Sequence, residues 1–305
     1  MKALALAALA AACATMFGHA AKPSLSAAGV QSPTAATATW AVAQIDAQQA
    51  WPLVAGHPIP PVAILDSGID ASHPDLAGKI TAARDFVDST GNTSDASWHG
   101  TAVAGIVAGG PSDTFSVCPG CKVISGKVLD AQDSGGDDEI ARGLLWAVAS
   151  GARVVNLSMS GSSEAPALRA AILTANRHGV VVVAAAGNDG STEKSFPAAD
   201  PNVIGVAATT SSDSVFDWSN RGSWVAIGAP GETTTTLRGG GYTTFVGTSA
   251  AAPAVAAAAA ECLAVTPGLS PAAVRRILVR TAAPVHGMSF GRLDVARAVQ
   301  ACAAA

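Results

Sequence analysis

The chain of 305 residues carries a succession of short runs that are apolar from end to end, separated by longer stretches with helical spacing. A strand that alternates apolar and polar residues can leave one face in water, whereas one that is apolar throughout must be covered on both faces. The runs are Pro61 to Asp66 (PVAILD), Lys122 to Leu129, the segment VVNLSM from Val154, GVVVVAAAGN from Gly179, Asn202 to Ala208 and Trp224 to Gly228. Helical spacing fills the gaps. Residues 137–150 open with Asp137, Asp138 and Glu139, where the helix dipole favours negative charge. A second helical segment ends near His178, and the last third holds two more, from about Ser249 to Val265 and from Ser270 to about Thr281. This alternation predicts an α/β fold of three layers, a mainly parallel sheet with helices on both faces. No internal repeat and no clear second domain interrupt it.

Composition narrows the function. Half the residues (49%) are hydrophobic but only 5% are aromatic, and the abundance of alanine predicts close packing of helix on sheet. A formal charge of −4 gives no electrostatic footing on nucleic acid or an anionic membrane, so polyanion partners are set aside. Arg275 and Arg276 read as a solvated helix face.

Residues 1–20, MKALALAALAAACATMFGHA, have the form of a signal peptide: one positive charge, an apolar centre, and Gly18 and Ala20 before the expected cut. The low-complexity residues 21–39 read as a spacer, and 40–305 as the working domain. The expected location is therefore secreted or periplasmic, with lipid attachment through Cys13 ranked second. The alanine run 250–260, broken by Pro253, is too weakly apolar to predict a membrane span. Export suits the four remaining cysteines, which allow three pairings. Cys118 with Cys121 around a Pro-Gly turn, and Cys262 with Cys302, is the expected set.

In such a sheet chemistry gathers where strands end and helices begin. Asp66 ends one strand, His99 opens the segment HGTAVAGIVAG, Asn188 ends another strand, and Ser249 opens the alanine-rich helix. Taken singly, each is explained by a turn or a helix cap. Together they supply the three parts that activate a serine: a carboxylate, an imidazole base and a hydroxyl.

The stretches VAILDSGIDASHPDL, HGTAVAGIVAG, AAAGND and GTSAAAPAVA resemble the aspartate, histidine, oxyanion and serine motifs of the subtilisin-like serine proteases. The order Asp, His, Ser agrees, whereas an α/β-hydrolase runs Ser, acid, His. The resemblance extends from about Trp40 to the C-terminus. It implies a secreted serine endopeptidase in which Asp66 orients His99, His99 is general base and then acid, Ser249 is the nucleophile, and Asn188 donates to the oxyanion. It further implies that an extended substrate lies between Ser134-Gly135 and Ser158-Met159-Ser160. The primary pocket would then be bounded by Ser158 to Ser160 and Ala185-Ala186-Gly187, with Asp189 at its rim. Broad cleavage after medium or large apolar residues is the expectation, on polypeptide substrates and by a monomer. No cofactor is expected for the chemistry. Structural calcium is open, Asp75 being the one candidate ligand, because the glutamine of the family's strong site is absent.

The chain also departs from the family. Ala250, Ala254 and Ala102 stand where methionine, histidine and a second histidine are usual, and residues 21–39 are too few for the folded prodomain that secreted relatives carry. The short segment 21–39 alone keeps alive a catalytically silent peptide binder on the same fold; a third reading, a processing protease dedicated to one partner, would need charged residues in its cleft, of which Asp133, Asp137, Asp138 and Asp189 are the few in view.

Overall fold

The structure, a computed structural model, describes residues 40–88, 90–110 and 115–305. The expectations for the signal peptide, the spacer and Cys13 fall outside the described residues. In chain order the elements are α1 (Trp40–Gln44), α2 (Ala47–Val54), β1 (Val62–Asp66), a 3-10 turn (Pro74–Leu76), β2 (Ile80–Asp85), α3 (His99–Ala108), β3 (Val123–Lys127), α4 (Asp137–Ala149) and β4 (Val154–Leu157). They continue as α5 (Pro166–Arg177), β5 (Val181–Ala185), β6 (Val203–Thr209), β7 (Ile227–Pro230), β8 (Glu232–Leu237), β9 (Gly241–Val246), α6 (Thr248–Val265), α7 (Pro271–Thr281), β10 (Ala283–Pro284), β11 (Gly291–Arg292) and α8 (Val295–Ala303).

One sheet organises the molecule, in the order β10-β11-β7-β6-β5-β4-β1-β3-β2, and every pairing in it is parallel except β10 with β11. The unbroken apolar character of its central strands follows from burial on both sides. Val62 and Ile64 of β1 face a core shared with α3 and α6, while Ala63 and Leu65 face one shared with α4 and α5. β5 divides in the same way, Val181, Val183 and Ala185 to the first core and Val182 and Ala184 to the second. The three layers match the fold class expected from sequence.

Helix α6 runs through the first core and touches β4, β5, β6, β7, α3 and α8. Alanine lets a helix so surrounded approach its neighbours closely. Its length and composition would suit a membrane span, but 94% of that window is buried inside the protein, so its apolar surface is consumed by the core. Cys262 on α6 is bonded to Cys302 on α8, and Cys118 to Cys121, as the sequence suggested.

Some boundaries and elements differ from expectation. The strand expected at 224–228 starts at Ile227, after a turn that closes with Val225 N donating to the Gly222 carbonyl. The edge strand β2, half exposed and carrying Arg84 and Asp85, lacks the apolar signature. The threonine-rich hairpin β8–β9 was not foreseen either; its Thr235 and Thr236 hydroxyls donate to the Ala102 and Thr101 carbonyls at 2.7 Å, tying it to the first turn of α3.

Candidate active site

Parallel strands end at a common edge, and that edge assembles the residues singled out in the sequence. Asp66 closes β1, Ser158 follows β4 and Asn188 follows β5, while α3 and α6 begin there with His99 and with Thr248-Ser249. Gly100 makes the approach of α3 to β1 possible. A Cβ at that position would lie 2.0 Å from the Gly68 carbonyl oxygen and 3.2 Å from the Asp66 Cβ. The free N–H groups of the first turn of α3 are capped from outside the helix: His99 N donates to Ser97 Oγ, Gly100 N to Ser67 Oγ, and Thr101 N to Asp95 Oδ2.

His99 Nδ1 lies 2.8 Å from Asp66 Oδ1, and both residues are buried. Asp66 Oδ1 also accepts from Ser67 N at 2.8 Å, whereas Oδ2 has no partner among the described residues. That geometry fixes the proton of a neutral His99 on Nδ1. The ring is held edge-on to Phe245 at 5.2 Å and to Trp98 at 5.9 Å. Burial alone would disfavour its charged form, but the Asp66 carboxylate, through charge and hydrogen bond, outweighs this with help from Asp133 and Asp95. The pKa is pushed up to about 9. Asp133 is the less expected contributor: ligand atoms of Asp66, His99 and Asp133 all lie within 4.8 Å of one another.

Gly247, at φ 147°, turns the chain from β9 into α6. Ser249 then stands in the first turn, its hydroxyl donating to the Ser158 carbonyl at 3.1 Å rather than to His99. The Ser158 hydroxyl returns a bond to the Ser249 carbonyl at 3.0 Å and accepts from Asn156 Nδ2 at 2.9 Å. Asn188 accepts through Oδ1 from both the backbone N–H and the hydroxyl of Thr248, each at 2.9 Å. Its amide N–H groups have no partner among the described residues and lie beside the start of α6, where the dipole and backbone N–H groups favour negative charge.

His99, Asn188 and Ser249 line one small cleft together with Ser158, Met159, Ser160 and Asp133. A second cleft shares Leu129, Asp133, Met159 and Ser160 with it and extends to Ser134, Gly135 and Phe196. The two segments expected to flank a substrate therefore border one continuous groove. Gly187 faces Ser160, since a Cβ on it would come within 3.1 Å of Ser160 Oγ, and the adjoining Ala186 is buried. Asp189 is exposed, one residue beyond Asn188.

Asp75 lies apart from this groove. Its Oδ2 accepts the Tyr242 hydroxyl at 2.7 Å, and Lys79 is near enough to feel its charge. A calcium ion takes six to eight oxygens. Among the described residues Asp75 joins no group of three or more His, Cys, Asp or Glu side chains that could share an ion.

Several residues of the site were missed from sequence. Thr248 links the Gly187 N–H to Asn188, and buried Asn220 holds the same loop by accepting from Asp189 N and Ser191 N while donating to the Ala186 carbonyl. Asn220 stands in the loop WSNRG, which has the composition of any turn and so gave no signal. Asp95, four residues before His99, offered only its spacing to the helix start.

Residues 60–298 match the profile of the subtilase family. The chain is 36% identical to thermitase of Thermoactinomyces vulgaris over 265 residues, covering 84% of this chain and 94% of thermitase. It is likewise 36% identical over 258 residues to a thermophilic serine proteinase of Bacillus sp. strain AK1, covering 82% of this chain but 64% of that protein's length. Among solved structures, a cold-adapted subtilisin-like serine proteinase superposes with a TM-score of 0.74 at 29% identity, covering 85% of this chain and 97% of the other.

Proposed function

Because the chain belongs to the subtilase family of serine endopeptidases, we propose that it hydrolyses peptide bonds through an acyl-enzyme, with Asp66, His99, Ser249 and Asn188 as the working groups. The observation that carries this reading is the 2.8 Å bond between Asp66 and His99 beside a serine that heads a buried helix.

The Ser249 hydroxyl leaves the Ser158 carbonyl and turns to His99 Nε2 as substrate enters. Ser249 Oγ attacks the scissile carbonyl carbon, its proton passes to His99, and the imidazolium formed is stabilised by Asp66. The oxyanion accepts hydrogen bonds from Asn188 Nδ2 and from the Ser249 backbone N–H. His99 then gives its proton to the leaving amine, and water, deprotonated by the same imidazole, releases the acyl group. Since His99 must be neutral to begin, the three carboxylates around it favour activity on the alkaline side of an ordinary histidine.

An extended substrate lies as a strand between Ser134-Gly135 and Ser158-Met159-Ser160, so backbone hydrogen bonds supply affinity and side-chain pockets supply preference. The slot between Ser158 to Ser160 and Ala186-Gly187 takes a medium or large apolar side chain, and exposed Asp189 extends tolerance to lysine and arginine. A cleavage profile dominated by glycine or proline before the cut would refute this preference. Residues 40–305 form the peptidase domain, and residues 1–20 direct export. N-terminal sequencing of protein from the culture medium tests the second point, and a fatty acid on Cys13 would replace release with anchoring.

The deciding experiment is digestion of casein by wild type, by Ser249→Ala, and by wild type treated with a phosphonyl fluoride. Cleavage by untreated wild type alone supports the triad. A folded wild type that neither cuts casein nor takes the label points instead to a silent binder.

A further inference from the structure

Asp133 has no step to perform in the proposed chemistry, yet it stands in both parts of the groove. It lines the cleft of His99, Asn188 and Ser249, and equally the cleft that extends to Ser134, Gly135 and Phe196. The residue is partly exposed, so a bound chain can reach it. Its Oδ1 accepts the Ser97 hydroxyl at 2.6 Å, whereas Oδ2 has no partner among the described residues and is not sealed from solvent. No described lysine or arginine forms an ion pair with it. Its charge is met only by His99, which must be neutral when the reaction begins.

An extended chain directs successive side chains to opposite faces. When the residue before the cut enters the slot between Ser158 to Ser160 and Ala186-Gly187, the side chain one position earlier points away from that slot. Leu129 and Asp133 line the cleft outside the walls of the slot, beside His99, in the segment that leads to Ser134-Gly135. Leu129 offers apolar surface and Asp133 a carboxyl four residues on. Long basic side chains suit that pairing, with the stem on apolar surface and the charged head beyond it.

We propose that Asp133 is a specificity-determining residue, which with Leu129 selects an arginine or lysine at the second residue before the scissile bond. The proposal rests on the cleft being a peptide groove, as read above, and adds the substrate class: chains in which a basic residue precedes the apolar one at the cut. The head group donates to Asp133 Oδ2, the vacant acceptor, in a charge-assisted hydrogen bond.

The test compares two peptides that differ only at that position, one with arginine and one with citrulline, which keeps the shape of arginine without its charge. Alanines precede it and phenylalanine stands before the cut. At pH 10 His99 is mostly neutral and arginine is still charged. Binding is read by calorimetric titration into the Ser249→Ala protein, where nothing is cut, and kcat/KM is read in wild type. Arginine should be favoured over citrulline about tenfold in both. Asp133→Asn should bring the ratio close to one. Asparagine tolerates the φ of 55° and can accept the Ser97 bond, so a purely structural role for Asp133 predicts an unchanged ratio.

Equal treatment of the two peptides, a preference that survives Asp133→Asn, or an equal dependence on Asp133 with arginine one residue further from the cut would overturn the proposal. Wild type that cuts both peptides equally well refutes the assignment of Asp133 and leaves the peptidase standing. Binding to Ser249→Ala with the expected ratio, with no cleavage by wild type, supports Asp133 and refutes the peptidase. Neither binding at millimolar peptide nor cleavage overturns both.

Discussion

Replacing Glu261 by leucine should change how stability depends on pH, by an amount that follows from burial. In the unfolded chain the carboxyl titrates at about 4.3. In the folded protein its pKa is raised, because the 0% exposed side chain is desolvated and no cation among the described residues compensates it. Between those two values the native state holds one proton more than the unfolded state, so stability falls as pH rises, by about 1.4 kcal/mol per unit, until pH passes the native pKa. Leucine abolishes that slope. Over that range its advantage over glutamate should therefore grow steadily with pH, while removal of two buried, unpaired oxygens adds a pH-independent gain of about 1–3 kcal/mol. In a domain of this size each kcal/mol moves Tm by roughly 2–4 °C. Urea unfolding of Ser249→Ala with and without Glu261→Leu, at unit steps from pH 5 to pH 8, measures the difference. Parallel stability curves would mean that the native carboxyl is solvated or paired, and the reasoning from burial would fail.

Three other outcomes are expected. Asn188→Ala should lower kcat by about 10²–10³ with little change in KM, a magnitude established for subtilisin itself rather than worked from this chain; steady-state kinetics with wild-type kcat would remove Asn188 from the oxyanion role. Asp133→Asn removes one of the charges that hold the His99 pKa up, so the acid limb of kcat/KM against pH should move to lower pH; a limb that stays in place would deny the coupling. Replacing both Cys262 and Cys302 by alanine should cost about 2–4 kcal/mol in chemical denaturation, more than loss of the Cys118–Cys121 link, because the loop closed is 40 residues long rather than three.

What the sequence disclosed and what it withheld divide along a physical line. β1, β4 and β5 were legible because burial on both faces leaves them almost wholly apolar, with Asp66 at the end of β1 and Asn156 in β4 the polar exceptions. Their ends were legible as sites because a polar residue after such a run stands out. The hairpin β8–β9 was not, since the run Thr233 to Thr236 has no apolar alternation and its burial comes from bonds to α3, a neighbour more than a hundred residues away. Asp133 is the same kind of case. It sits at φ 55°, a backbone conformation uncommon for aspartate, and its Oδ1 accepts the Ser97 hydroxyl at 2.6 Å. Nothing in the local string announces that this brings a second carboxylate to His99.

The Asp66–His99 pair is thus less a property of its two members than of the caps around them. An imidazole and a carboxylate 33 positions apart in the chain meet at 2.8 Å because α3 begins where β1 ends. Asp95 enforces that start. Its Oδ2 accepts the N–H and hydroxyl of Thr101, and its Oδ1 accepts the Ser67 hydroxyl, whose oxygen in turn accepts Gly100 N. Arg238 adds a clamp from the hairpin, its Nη1 donating to the Asp95, Ala96 and Ser97 carbonyls. The imidazole is therefore held by groups with no part in the proposed proton transfer, each of which could be exchanged for another hydrogen-bonding arrangement. That freedom is why motifs disclose the reacting residues more readily than the frame that aims them.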